Sequence, residues 1–361
     1  MLRSLSSVIA FLFAVSTIHD NARGNRGSLV KVVGGGGSGG AFAGNGGRAV
    51  RAKLSSPRHI AFDTTGNLYI ADNVFGANPN RSRCEIRVVT RRDGRIRVVA
   101  GQGLRSARAT PAARMQMRSC GGLAVDALGN VLFQTASTSR MYGVAVRTGR
   151  VTAYGTGGGA ISTDRSGDIL FVRGDQVLMI TRVGTIVDVA GTGATGYLGD
   201  GHLAVSARLN DPSGIATDSR NDVFIADRGN HRVREVVAST RVIETVAGGG
   251  SCRPGSLPYC GLGGDPTRAN IVAPQCVAVD TKGDLYIAAG VVLELRKGDR
   301  RLSRIAGNGQ VPVDAQEIKQ QRTTQPALSA RTNAVGVAVD TRGGVYFVED
   351  NVGLVREIVQ P

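Results

Sequence analysis

Short apolar runs occur in pairs along the chain, and the two runs of each pair are separated by an aspartate, two variable residues and a turn residue. "HIAFDTTGNLYIAD", which starts at His59, and "GIATDSRNDVFIAD", which starts at Gly214, are two of six such segments. Apolar runs of this kind, rich in β-branched and aromatic residues and bounded by turn residues, predict strands joined in hairpins. The pattern therefore predicts an all-β chain in which one unit is repeated six times.

The turn of each predicted hairpin has a fixed spacing. A hairpin loop built on a type I turn ends in a left-handed residue, and glycine and then asparagine adopt that conformation most easily. An aspartate at the start of the turn can accept hydrogen bonds from the turn's own amides. The aspartates are Asp63, Asp126, Asp164, Asp218, Asp280 and Asp340, and the residues three positions later are Gly66, Gly129, Gly167, Asn221, Gly283 and Gly343. We interpret all of them as structural turn residues rather than as a row of catalytic carboxylates.

Further strand patterns follow the hairpins, so that the repeated unit has four short strands. Four-stranded units repeated radially predict a β-propeller, because closure into a ring protects the strand edges. The sixth unit has room for only three strands, and the apolar run at 28–34 resembles the fourth strands of the other units. We therefore predict a six-bladed propeller over residues 25–361, with its last blade closed by the N-terminal strand 28–34. The repeats start near residues 57, 120, 158, 212, 274 and 334.

One unit carries a resemblance to a known family. "ADRGNHRVREV" at 226–236 resembles the NHL repeat, whose Asn-His-Leu triplet reads Asn230-His231-Arg232 here. The segment "TVAGGG" that follows resembles secreted and bacterial-type NHL proteins. The resemblance implies a six-bladed propeller that acts as a binding scaffold, and it implies that Asp227 and Asn230 tie the loop through hydrogen bonds to its amides.

Arginines recur on the predicted third strands, where they alternate with apolar residues. The alternation places these side chains on one side of each strand, where they would solvate the strand surface or pair with neighbours such as Glu235 and Glu357. The arginines concerned are Arg87, Arg234, Arg296 and Arg356. In blade four we predict that Arg232 and Arg234 face outward.

The N-terminal residues have the features of a targeting segment. Arg3 precedes the apolar run "VIAFLFAV" at 8–15, and small residues follow it. A run this short does not span a bilayer, so we predict a signal peptide and short leader over residues 1–24, and a secreted protein without a membrane span. Asn80 opens an Asn-Arg-Ser sequon and is a candidate glycosylation site.

The five cysteines show no C-x-x-C spacing, which disfavours zinc and thioredoxin-like sites. In an oxidising compartment, disulfides are the expected state. The candidates are Cys84 with Cys120 and Cys252 with Cys260, which would leave Cys276 free, although the sequence does not fix the connectivity.

Motifs that would indicate catalysis are weak. "GTGATG" at 191–196 matches the dinucleotide fingerprint G-x-G-x-x-G, but "YLGDGH" follows it where that fingerprint requires a helix. His59 and His202 could approach one face, but no third ligand accompanies them. The predicted inner strands are small and apolar. We therefore predict no catalytic, cofactor-binding or metal-binding residue and no cofactor.

The net charge of +16 favours acidic partners, and aromatic residues make up only 4% of the chain, which disfavours recognition of nucleic acid bases. We predict a non-catalytic secreted scaffold whose partner, a protein or an acidic glycan, docks on the face with the long inter-blade loops. One alternative is a hydrolase, lactonase or lyase with calcium or zinc in the central channel. A second is binding of a polyanion, glycan or RNA, through the basic surface.

Overall fold

Six antiparallel sheets form the blades of a ring, which confirms the predicted six-bladed all-β propeller. The computed structural model describes residues 29–36, 42–74, 82–101, 110–135, 139–252, 259–310 and 324–359. The predicted signal segment and the Asn80 sequon lie outside these residues. No helix in the described ranges is long and apolar enough to cross a membrane.

The strands are as follows. The first is β1 (Leu29–Gly35). Blade one contains β2 (Ser56–Phe62), β3 (Leu68–Val74), β4 (Arg83–Val89) and β5 (Ile96–Ala100). Blade two contains β6 (Cys120–Val125), β7 (Asn130–Thr135), β8 (Arg140–Ala145) and β9 (Arg150–Thr156). Blade three contains β10 (Ile161–Thr163), β11 (Ile169–Arg173), β12 (Gln176–Ile180) and β13 (Ile186–Ala190).

The short strand β14 (His202–Leu203) precedes blade four, which contains β15 (Pro212–Thr217), β16 (Val223–Asp227), β17 (Arg232–Val236) and β18 (Val242–Gly248). Blade five contains β19 (Cys276–Val279), β20 (Leu285–Ala288), β21 (Val292–Leu295) and β22 (Leu302–Ala306). The short strand β23 (Gln325–Pro326) precedes blade six, with β24 (Ala334–Val339), β25 (Val345–Glu349) and β26 (Leu354–Val359). Within the described ranges, helices are confined to α1 (Pro111–Arg114) and single 3-10 turns at Ala49–Arg51, Ala204–Ser206, Arg228–Asn230 and Pro266–Arg268.

The last blade is closed by the N-terminal strand, as predicted. β1 runs antiparallel to β26, from the pair Leu29 and Val359 to the pair Gly35 and Leu354. The fourth strand of blade six therefore comes from the opposite end of the chain, and this pairing closes the ring.

The first strand of each blade lines the centre of the ring, and neighbouring first strands contact one another all the way round. Six apolar clusters make up the core, and each lies between two adjacent blades. A blade is thus packed on both of its faces. The third strand β4, for example, is buried at five consecutive positions from Cys84 to Val88.

The hairpin turns have the predicted chemistry. In blade one, Oδ1 of Asp63 accepts hydrogen bonds from the amides of Thr65 at 3.0 Å and Asn67 at 2.9 Å. Gly66 has a φ of +85°, and Asn221, which replaces glycine in blade four, has a φ of +66°. The other turn aspartates likewise accept amide hydrogen bonds from their own turns. These bonds hold the turns of all six blades in one conformation.

The ring has two different faces. Turns between first and second strands and between third and fourth strands lie on one of them, which we call the hairpin-turn face. The hydroxyl of Thr217 donates to the carbonyl of Thr163, and that of Thr163 to the carbonyl of Val125, so equivalent strand ends are neighbours. Links between second and third strands, and the connectors between blades, start and end on the opposite face, which we call the loop face.

The connectors also cover the outer edges of the blades. β14 adds to the outer strand β18 of blade four, and β23 adds to β1 of blade six. In blade one the connector forms an isolated bridge between Arg48 and Arg95. Only residues 157–160 separate blades two and three. Because an unpaired edge strand can recruit other chains, this arrangement protects the ring from edge-to-edge association.

Candidate functional site

Three arginines of the third strands, Arg87, Arg234 and Arg356, are not at the surface, and the prediction that Arg234 faces outward is wrong. All three are fully buried, whereas Arg296 is exposed just beyond β21. Alternation predicts an outward side chain only when one face of a strand is solvated. In blades one and four the third strand lies between a neighbouring blade on one side and the incoming connector on the other.

In blade one, Arg87 fixes the connector that enters the blade. Its guanidinium donates to Oδ1 of Asn45 at 2.8 and 3.1 Å and to the carbonyl of Lys53 at 2.7 Å. Asp72, at the end of β3, lies 3.3 Å from the guanidinium and accepts the amide of Ser55 at 2.8 Å. Burial raises the pKa of Asp72, and the amide donors and Arg87 oppose that rise.

Blade four repeats the arrangement with different partners. Arg234 donates to Oδ1 of Asp200 at 2.6 and 3.0 Å, and to the carbonyls of Arg208 at 2.8 Å and Leu198 at 3.0 Å. Its second carboxylate, Asp227, is 3.7 Å away and fully buried. We call Arg234, Asp227 and Asp200 the blade-four anchor.

Asp200 belongs to the connector, and its electrostatic state differs from that of the buried strand carboxylates. Burial alone would raise the pKa of Asp200, but hydrogen bonds from Thr245, Tyr197 and Arg234 outweigh burial and lower it. Arg232 stacks over the Tyr197 ring at 3.9 Å. The connector is therefore held by an ionised carboxylate and by an aromatic ring.

Blade six has a third buried pair, Arg356 with Glu349. The arginine and an acid at the end of the second strand occur together in blades one, four and six. The other three blades have Tyr142, Leu178 and Leu293 at the position opposite the same second-strand residue. This co-occurrence is the signal in the sequence that could have identified the buried pairs.

Asp227 and Asn230 bond to each other and to the connector, whereas the NHL resemblance implies hydrogen bonds to amides of their own loop. Oδ1 of Asp227 accepts the amide of Asn210 at 2.8 Å. Asn230 donates at 2.8 Å both to Oδ2 of Asp227 and to the carbonyl of Gly196. Both residues thus bond the second-to-third-strand loop to the connector before it. The glycine motif at 191–196 belongs to this connector, and no helix follows it.

His231 ties the same loop to the connector after it. Its Nδ1 accepts the amide of Ala273 at 3.0 Å, so the imidazole bridges blades four and five at the loop face. On the other side, Arg228 forms an ion pair with Asp211. The blade-four loop is therefore bonded on both flanks.

This location concentrates backbone strain. Seven non-glycine residues in the described part of the chain have positive φ, and Asp211, His231 and Ala273 are three of them, at +50°, +56° and +44°. A non-glycine residue in this conformation costs about 1–3 kcal/mol, and such residues cluster at functional sites. We define the blade-four loop surface as these three residues with Arg228 and Val272, which are exposed.

The central channel offers little chemistry. Its cavity of about 190 Å³ is lined by all six inner strands, mostly by alanine, valine and isoleucine. Burial lowers the pKa of His59 to about 4, with a contribution from Arg58, so this imidazole is neutral at pH 7. Burial raises the pKa of the Cys276 thiol, which donates to the carbonyl of Val337 at 3.6 Å. Within the described ranges, no three His, Cys, Asp or Glu side chains converge as a metal site.

Two disulfides are present. Cys84–Cys120 joins the third strand of blade one to the inner strand of blade two, and Cys252–Cys260 closes a loop in the connector into blade five. Cys276 is free.

Comparison with known proteins agrees with this architecture. A family profile of the NHL repeat matches residues 209–235, which contain the blade-four loop. The chain is 14% identical to an auxiliary nutrient binding protein from Bacteroides ovatus, with a TM-score of 0.62, covering 92% of this chain and 76% of that one. It is 12% identical to a gluconolactonase from Xanthomonas campestris, with a TM-score of 0.53 and coverage of 85% and 87%. At this identity the likeness concerns the fold alone.

The fold therefore defines the chain as a six-bladed β-propeller. One of its blades, over residues 209–235, matches the NHL repeat. A sequence match to human Teneurin-1 has 25% identity over 231 residues. That match covers 54% of this chain but 8% of the much longer Teneurin-1.

Proposed function

We propose that this chain is a secreted binding scaffold without catalytic activity, and that a protein partner docks on its blade-four loop surface. The observation that carries the proposal is the group of strained residues, Asp211, His231 and Ala273, which hydrogen bonds and an ion pair hold at one place on the loop face. Strain of this kind persists only where the surroundings enforce it.

A rigid surface has an advantage in binding. Association is opposed by the loss of loop and side-chain freedom, so a loop that is ordered beforehand gives more affinity for the same contacts. Here the blade-four anchor fixes the connector, and Asn230 and His231 fix the loop beside it. Arg228, His231 and Val272 then present a cation, an imidazole and an apolar group to solvent, a mixture suited to a protein surface.

The channel supports a scaffold over a hydrolase or lyase. A metal-dependent lactonase needs several polar ligands at the inner strand ends, and the inner strands here contribute mainly alkyl groups. The neutral imidazole of His59 and the thiol of Cys276 are too few to replace them.

Secretion is supported by three features. The apolar segment at 8–15 has the pattern of a signal peptide, the ring contains two disulfides, and the distant sequence match is to teneurin. Disulfides persist mainly in oxidising compartments.

The test compares two triple variants. R228S/H231A/V272S removes the exposed groups of the blade-four loop surface, and R182S/H202A/V183S removes the same residue types, also exposed, elsewhere on the ring. Partners captured from the extracellular fraction of the source cells are purified, and their affinity for each variant is measured by biolayer interferometry. We expect at least tenfold weaker binding by the loop-surface variant and unchanged binding by the other.

Equal affinities of the two variants would refute docking at this surface. Hydrolysis of a sugar lactone by the purified protein with added Ca²⁺ or Zn²⁺, at a rate that saturates with substrate, would refute the non-catalytic function.

A further inference from the structure

The hairpin-turn face carries most of its exposed charge as cations. The eleven hairpin turns of the ring contain fourteen lysine and arginine residues, and every one is exposed. They are Arg91, Arg92, Arg95, Arg147, Arg165, Arg182, Arg220, Arg241, Lys282, Arg296, Lys297, Arg300, Arg301 and Arg342.

The same turns contain eleven aspartates, but these do not present a matching negative surface. Only Asp93 and Asp299 are exposed. The six that start the inner turns direct an oxygen at their own amides, and others bind the amide of an adjacent turn, as Asp284 binds that of Lys297 at 2.8 Å. Most of these carboxylates are thus engaged by amides or paired with neighbouring cations, as Asp218 and Asp222 are with Arg220, while the cations themselves are exposed to a ligand in solvent.

The cations of four consecutive blades are adjacent. Arg220 and Lys297 share Asp218 of blade four, at 3.5 and 4.0 Å. Between blades five and six, Lys282 and Arg342 line one cleft of about 600 Å³. On the far side of blade six, the Tyr346 ring packs against Phe62 of blade one with 4.8 Å between the ring centroids, and Arg91 is exposed in an outer turn of blade one. We call this set, from blade four through blades five and six to blade one, the basic arc.

The cleft within the arc has the composition of a sugar site. Its lining contains three cations, Lys282, Arg296 and Arg342, and four carboxylates, Asp280, Asp284, Glu294 and Glu357. Glu294 pairs with Arg296 at 3.2 Å. Asp284 and Glu357 each have one oxygen in a hydrogen bond inside the protein, from the Lys297 amide or the Tyr346 hydroxyl, and their second oxygen can accept from a ligand hydroxyl. A volume of 600 Å³ lies in the range of small-molecule sites, about 300–1,000 Å³.

Nucleic acid fits this face less well than a polysaccharide. Single strands are held by aromatic side chains on which the bases stack, together with cations. None of the residues of the eleven hairpin turns is aromatic. Carboxylates inside the cleft can accept hydrogen bonds from the hydroxyl groups of a sugar.

We propose that the basic arc binds a linear acidic polysaccharide, with sulfate or carboxylate groups on the exposed cations and one sugar unit in the cleft between blades five and six. This surface lies opposite the blade-four loop surface, so the proposal is independent of the protein partner. The ring would then hold a polysaccharide on one face and a protein on the other.

The experiment uses heparin oligosaccharides of defined length as the probe and isothermal titration calorimetry as the measurement. K282S/R296S/R342S removes three cations of the cleft, and R51S/R173S/R208S removes three exposed cations outside the hairpin turns. Thermal unfolding checks that both variants fold. Each exposed ion pair contributes about 0.2–1 kcal/mol, equivalent to a factor of about 1.4–5, so we expect roughly tenfold weaker binding by the cleft variant and less than twofold by the control.

Three results would overturn the proposal. Absence of heparin binding at low salt would rule out the polysaccharide as the ligand. Equal weakening by the two variants would show attraction by net charge without a defined surface. Tighter binding of a single-stranded oligonucleotide than of heparin, lost in the cleft variant, would replace the polysaccharide with nucleic acid. A linear decrease of log affinity with log salt for heparin, and no binding of neutral dextran, are the results we expect.

Discussion

The blade-four anchor allows a sharp test of how the connector is held. Arg234→Leu removes the guanidinium and leaves an apolar side chain of the kind that blade five has in this position as Leu293. It abolishes four hydrogen bonds, two to Asp200 and one each to the carbonyls of Arg208 and Leu198. It also leaves Asp227 buried without its cation.

The expected loss of stability follows from the buried charge. Removing one partner of a buried ion pair costs about 3–5 kcal/mol, because the remaining charge is left uncompensated. In a chain of this size we expect about 1–2 °C per kcal/mol, hence a fall of about 3–10 °C in Tm for R234L. R234L/D227N keeps an oxygen for the Asn210 amide while removing the charge, so it should recover about 1–2 kcal/mol.

Two measurements check this prediction. Calorimetry of wild type, R234L and R234L/D227N gives the order of stability, and limited trypsin digestion at 25 °C reports cleavage after Arg208, which is exposed within the connector. We expect faster cleavage in R234L because the backbone carbonyl of Arg208 has lost the guanidinium that donates to it. The reasoning fails if R234L is as stable as wild type, or if D227N lowers stability further in the R234L background.

Two further predictions concern titration and cross-links. Burial raises the pKa of Glu85 to about 7, from 4.5 in the unfolded chain, so the folded state binds its proton more tightly. Stability should therefore decline as pH rises from about 4.5 to 7, by up to about 3 kcal/mol, and E85Q should flatten that part of the urea-unfolding profile; an unchanged slope in E85Q would contradict this origin. Loss of Cys84–Cys120, with a sequence separation of 36, should cost about 4 kcal/mol, and loss of Cys252–Cys260, with a separation of 8, about 2.5 kcal/mol. Thermal unfolding of C84S/C120S and C252S/C260S measures both, and the reverse order would refute the loop-entropy account.

The repeat made the fold predictable from sequence. The spacing from Asp63 to Gly66 reports a local turn, and a turn depends on its own few residues rather than on distant ones. Six copies of that turn, with room for three strands at the C-terminus, were enough to predict the closed ring and the pairing of β1 with β26. Neither the turn conformation nor the closure of the ring had to be predicted from side-chain packing.

The candidate sites depend on side-chain packing, and the orientation predicted from sequence for Arg234 was wrong. A period of two places Arg234 on one side of its strand, but it does not say what covers that side. The connector covers it, and the connector's path is set by contacts between residues far apart in sequence, such as Arg234 with Asp200. The strained φ of Ala273 and the basic arc likewise arise from neighbours that only the closed ring brings together.

Blades one and four both use a buried arginine to hold the incoming connector, but the charged partners of the arginine differ. Arg87 has Glu85 on its own strand as a second carboxylate and a neutral amide, Asn45, in the connector. Arg234, besides Asp227 on the neighbouring strand, pairs with a carboxylate from the connector itself, Asp200. Burial raises the pKa of Glu85, so the negative charge of this carboxylate is disfavoured in blade one. Hydrogen bonds lower the pKa of Asp200, so its negative charge is favoured in blade four. The connector beside the blade-four loop surface is therefore held by an ion pair. This helps the surface to keep its shape when a partner binds.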